Sequence, residues 1–211
     1  LATGCLLYLQ LRIHNSWRLK TALGWLAIAL GSANVYCMAR IYLLPTQIAW
    51  NTPLTVISFV STALLLGMMA LVSLQIMDLK YSELRGSSKA KIQAQIIQSS
   101  LPWFAAAATT MLILIVTQYV YQFVLLNNDA FPTAQTSLLL LVRLYPILFG
   151  MRLVVIFLGV IGLAVVAYWQ GRRQKRVSDL LVPTYITCLL VMVGEILGRF
   201  LFYATHVRTG I

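Results

Sequence analysis

Four ionisable side chains interrupt the long apolar runs of this chain. Arg40 ends one run in CMARIYLLP, Arg152 sits within PILFGMRLVVIF, and Glu195 and Arg199 stand in LLVMVGEILGRFLFYA. An ionisable group inside an apolar segment is costly, so each is a candidate for proton transfer, headgroup recognition or an interhelical lock. Glu195 and Arg199 are one helical turn apart, and Glu before Arg is the favourable order for an i,i+4 pair. Pairing lowers the cost of burying either charge. Gly194 and Gly198 have GxxxG spacing on an adjacent strip, where small residues let a second helix approach. The expectation is a packing face with a Glu195–Arg199 pair turned into a bundle. Two readings follow. In one the pair is a structural lock, and Arg40 and Arg152 snorkel to the interface. In the other these groups border a cavity that binds a polar headgroup or moves protons.

The remaining reactive residues are few. His14 lies in a basic loop, and His206 follows the last apolar run in FYATHVRTG. Its near-neutral ordinary pKa makes His206 a candidate proton acceptor. A membrane haem usually takes two helix-borne histidines, and these two fall on opposite sides, so no haem is expected. Cys5, Cys37 and Cys188 are scattered, without the close spacing of a zinc or iron–sulfur site, so no metal is expected. No nucleophile–base triad, P-loop or dinucleotide fingerprint is present.

The elements that must position these residues are transmembrane helices. The chain has 211 residues, 60% hydrophobic and 10% charged, with a mean hydropathy of +0.85. That composition is poorer in charge than a soluble domain and fits a polytopic membrane protein. The net charge of +11 does not indicate nucleic acid, because the bases lie between apolar runs. About 20 apolar residues cross a bilayer as helix, and backbone groups in lipid must be bonded within their own segment. The sequence predicts an all-α transmembrane bundle with a partial span at 1–11 and five full spans at 21–38, 53–77, 101–126, 146–169 and 180–203. LATGCLLYLQL is apolar from its first residue, without a basic n-region or cleavage site, so it reads as the tail of a helix. The expectation is a single transmembrane domain over 1–211 that lacks its N-terminal helices.

The loops divide by charge. Segments 12–20, 78–95 and 171–179 carry eleven of the sixteen bases, whereas 40–52 carries one and 127–137 none. The positive-inside rule puts the three basic segments in the cytoplasm and the C-terminus outside. Arg40, Arg152, Glu195 and Arg199 then all fall in the outer half of the membrane. Trp50, Trp103, Trp169, Tyr42, Tyr145 and Tyr203 fall near span ends, as an aromatic belt would. Thr109, Thr110, Gln118 and Gln122 are expected to hydrogen-bond between helices. The stretch 78–100 is the longest loop, with room for a short amphipathic helix.

GEILGRFLFYATHVRTGI resembles the C-terminal signature of the DmsC family, the membrane anchor subunit of anaerobic dimethyl sulfoxide reductase. In that family a Gly-Glu-x-x-Gly-Arg run is followed by Phe-Tyr and then His. VYCMARIYLLPTQIAWNTPLTVISFVSTALLLG (35–67) is similar to the family's Arg-x-Tyr segment, which leads through Trp and Thr-Pro into the next span. The context of Arg152 matches more loosely. The resemblance runs in span order over essentially the whole chain. It implies a subunit of about eight helices with both termini outside, in a bacterial cytoplasmic membrane. Such a subunit holds a molybdopterin catalytic subunit and an iron–sulfur subunit to the membrane. It is not itself the catalyst, carries no haem, and oxidises menaquinol, passing electrons to the iron–sulfur subunit. Arg40, Glu195, Arg199 and His206 match family positions. The family's His-Leu-Gly-Ser-Pro-like quinol segment has no counterpart in this sequence, so the main quinol residues do not carry over. A polytopic transporter or channel, with the charges on a substrate path, is the alternative function.

Overall fold

The computed structural model describes residues 17–43, 50–86, 90–128, 139, 143–173 and 177–204. Five long helices account for almost all of them: α1 Trp17–Ile41, α2 Pro53–Leu84, α3 Ala90–Asn128, α4 Pro146–Arg173 and α5 Leu181–Ala204. A 3-10 turn, Val177–Leu180, leads into α5. All five are long and apolar enough to cross a membrane. At 1.5 Å per residue even α5, with 24 residues, spans about 36 Å against a hydrocarbon core of about 30 Å. The five expected full spans are all present. The partial span at 1–11 lies outside the described residues.

The helices alternate in direction. The start of α2 meets the end of α5, where the Trp50 indole N–H donates to the Phe202 carbonyl at 3.2 Å. The end of α2 meets the start of α3, where the Gln93 amide donates to Asp78 at 2.8 Å. The end of α3 meets the start of α4 through Tyr119 and Phe149, with ring centroids 5.2 Å apart. Helices α2, α3, α4 and α5 therefore form an up-down bundle closed by the α2–α5 contact, and α1 packs on the outside against α2.

The core follows from spacing. Its buried residues include Leu65, Met69, Val72, Ile76 and Leu79 on α2 and Leu101, Ala105, Ala108, Leu112 and Ile115 on α3, with Ile156, Val160, Leu163 and Ala167 on α4. Steps of three and four keep one stripe facing inward, as in a left-handed four-helix bundle. The opposite faces are also apolar: Leu71, Ile113, Val154 and Leu158 are exposed. An exposed apolar jacket around an apolar core is what a lipid solvent permits. The chain is an all-helical, multi-pass membrane protein.

The α4–α5 contact is the closest. A Cβ at Gly194 would strike Ile156, and one at Gly198 would strike Arg152. Farther along the same interface the small residues change sides: a Cβ at Gly159 would stand 2.6 Å from Val191, and Gly162 faces Thr187. Each level of the interface thus pairs one glycine with one larger side chain, which lets the backbones approach without leaving voids.

One expectation is corrected. The stretch 78–100 is not a long loop: α2 continues to Leu84 and α3 resumes at Ala90. Gly86, at φ +64°, ends α2, and its N–H bonds to the Glu83 carbonyl at 3.0 Å. Lys, Gln, Ala, Leu, Glu and Arg, all strong helix formers, make up twelve of the 23 residues of this stretch. Loss of hydropathy there marks departure from the membrane, not the end of helix.

Candidate functional site

All described candidates gather at one end of the bundle. It is formed by the C-terminal ends of α1, α3 and α5 and the N-terminal ends of α2 and α4. Alternation of direction brings Arg40, the start of α2, Gln118–Gln122, Arg152 and Glu195–Tyr203 to this end. It sends Arg18, Lys20, Lys80, Arg85 and Lys91 to the other.

Glu195 and Arg152 are buried, at 3% and 5% exposure. Glu195 does not pair with its neighbour one turn on. The ion pair runs across to α4, with Arg152 Nη2 3.7 Å from Glu195 Oε2. Thr62 of α2 donates to the same oxygen at 3.0 Å. Three helices therefore converge on one carboxylate oxygen. Arg152 does not snorkel. Its guanidinium carbon lies 4.9 Å from the Tyr119 ring centroid on α3, and its side chain rests on the bare α-carbon of Gly198. The second residue of the expected pair, Arg199, stands 3.8 Å over the Phe59 ring instead. The physical reason is the glycine: Gly198 leaves the space into which Arg152 reaches the carboxylate from the partner helix.

The arrangement leaves two polar atoms unmatched. Glu195 Oε1 and Arg152 Nε are buried without a hydrogen-bond partner. Both residues line a cavity of about 60 Å³, together with Thr62, Gln118, Gln122 and Arg199. Small-molecule sites usually enclose roughly 300–1,000 Å³, so this cavity is of water size.

Toward the end of the bundle the cavity gives way to aromatic rings. Trp50 and Phe202 stack with centroids 4.9 Å apart and planes 10° apart. Tyr42 and Phe59 stack at 5.4 Å. The Tyr42 and Tyr203 hydroxyls hydrogen-bond at 2.7 Å, and Thr55 donates to the Trp50 carbonyl at 2.6 Å. Hydrogen bonding to Tyr203, then burial, raises the Tyr42 phenol above its ordinary value. Trp103 and Trp169 are exposed, as belt residues are, but Trp50 is buried in this cluster.

Of the other candidates, Arg40 is exposed at the end of α1, and His206 lies outside the described residues. Gln118 bonds between helices as expected, its amide donating to Ser61 at 3.3 Å. Thr109 and Thr110 do not: each donates to a carbonyl of its own helix, Ala105 at 2.8 Å and Ala106 at 3.0 Å. That back-bonding is open to any helical threonine. Thr62, Tyr119, Phe59 and Phe202 complete the site and were not singled out by sequence. Threonine and aromatic residues are common in apolar helices, and only tertiary packing tells which of them face a charge. Among the described residues no cluster of His, Cys, Asp and Glu could hold a metal ion.

A family model described as DMSO reductase anchor subunit (DmsC) matches residues 1–205. No curated protein matches the chain, and no solved structure does.

Proposed function

The chain belongs to the DMSO reductase anchor subunit (DmsC) family, and we propose from that membership that it ties a molybdopterin catalytic subunit and an iron–sulfur subunit to a bacterial cytoplasmic membrane and oxidises menaquinol for them. The family match is the observation that carries this reading. The chain is then the non-catalytic, electron-supplying subunit of an oxidoreductase, and iron–sulfur clusters and molybdopterin belong to its partners alone.

The polar end of the bundle is the side on which the partners dock, outside the membrane, with the C-terminus on that side. The separation of Arg18, Lys20, Lys80, Arg85 and Lys91 to the opposite end supports this orientation. In this reading Arg40 and Arg199 meet a quinol headgroup or a partner surface, with His206 as a further proton acceptor. The Arg152–Glu195 pair stands behind them, because a cavity of about 60 Å³ is too small for a quinol ring. The ring belongs against the aromatic rim.

The test is purification of the full-length subunit from a mild detergent extract. Recovery with an iron–sulfur protein and a molybdoenzyme, and reduction of that complex by menaquinol, supports the reading. Recovery alone, under conditions that preserve other membrane complexes, overturns it in favour of a transporter or channel.

A further inference from the structure

We propose that the cavity between α2, α3, α4 and α5 holds water that bridges Arg152 and Glu195, and that Glu195 takes up and releases a proton through this water. The unmatched atoms define the occupant. Arg152 Nε is a donor without an acceptor, and Glu195 Oε1 is an acceptor without a donor. An anion would satisfy only the first and a cation only the second. Water accepts from one and donates to the other.

Three further observations agree. The Arg152 Nη2–Glu195 Oε2 separation of 3.7 Å is too long for a direct hydrogen bond, so the ion pair itself satisfies neither Nε nor Oε1. The cavity of about 60 Å³ has room for several waters at roughly 10–15 Å³ each. Its lining includes Thr62, Gln118 and Gln122, which offer the further polar partners a buried water needs.

Among the groups that line the cavity, Glu195 is the one able to take up a proton. Arg152 from α4 and Arg199 from α5 are the cations that line the cavity, and Tyr119 from α3 is its other ionisable group. The α2 lining, Thr52, Leu54, Thr55, Ser58 and Thr62, has none. Guanidinium groups do not give up their protons in proteins. A proton arriving through the water therefore binds Glu195 Oε1, converting carboxylate to carboxylic acid, while Oε2 keeps its bond from Thr62. Release reverses the step. Nothing in this exchange requires quinol, so the proposal stands or falls separately from the function proposed above.

The experiment is infrared spectroscopy of the intact membrane complex, titrated over the pH range in which it is stable. The expected result is a carboxylic acid C=O band that appears on acidification, shifts promptly on mixing with D2O, and is absent from Glu195→Gln. Thr62→Val removes the hydrogen bond to Oε2, the carbonyl oxygen of the acid form, and should move that band to higher wavenumber. If Glu195→Gln does not assemble, the Thr62→Val shift decides alone. The proposal is overturned if no band responds to either variant, which means Glu195 stays ionised, or if the band is blind to D2O for hours, which means the cavity is dry.

Discussion

The guanidinium of Arg152 lies on Gly198, so a charged side chain and a bare α-carbon share one level of the α4–α5 contact. This relationship decides which arginine Glu195 pairs with. A methyl group at position 198 would meet the guanidinium itself.

Gly198→Ala should therefore expel Arg152 from its place and destabilise the subunit by about 1–3 kcal/mol, the usual cost of overpacking a filled interface. Gly67→Ala is the control, since a Cβ there meets nothing within 4 Å. Thermal denaturation of the purified complex distinguishes the two: only the first should lower the midpoint.

Removing one member of the buried pair strands the other. Arg152→Met leaves Glu195 without a countercharge and should cost about 3–5 kcal/mol. Arg152→Met combined with Glu195→Gln should cost less than the sum of the two single changes. A double-mutant cycle on denaturation free energies gives that coupling, and the same cycle with Arg199 in place of Arg152 should give a smaller value.

Arg199 is held by a ring. Arg199→Met and Phe59→Leu should each lose about 0.5–2 kcal/mol of cation–π stabilisation, and the double variant should lose little more than either alone. Additive losses would show that the two side chains act independently.

The Tyr42 phenol is raised above its ordinary value of 10.0, so the folded state holds this proton more tightly than the unfolded chain does. Its contribution is complete below about pH 10 and is lost as pH rises through the folded-state value. Tyr42→Phe should have a shallower alkaline loss of stability than the parent, measured as denaturation midpoint against pH.

The membrane helices were legible from hydropathy alone, because a span needs only length and the absence of charge. Gathering of the ionisable groups at one end was legible too, since alternating spans bring every second connection to the same side. The partner of Glu195 was not. Spacing within α5 pointed to Arg199, and no feature of α4 read alone tells that Arg152 faces Gly198 across an interface. Thr62 was hidden for the same reason: its hydroxyl matters because α2 and α5 sit side by side, a long-range fact. The helical continuation of 78–100 was missed because hydropathy reports the solvent and helix propensity the backbone.

The exchange of sides by the glycines along α4 and α5 has a mechanical meaning. Gly194 and Gly198 receive Ile156 and Arg152, whereas Gly159 and Gly162 receive Val191 and Thr187. Sliding one helix past the other by a turn would set bulk against bulk at one level and gap against gap at another. The pair is therefore keyed and cannot work as a piston. Any movement within the bundle has to be carried elsewhere, by α1 on the flank or by the side chains of the aromatic rim, with α4 and α5 as the fixed frame.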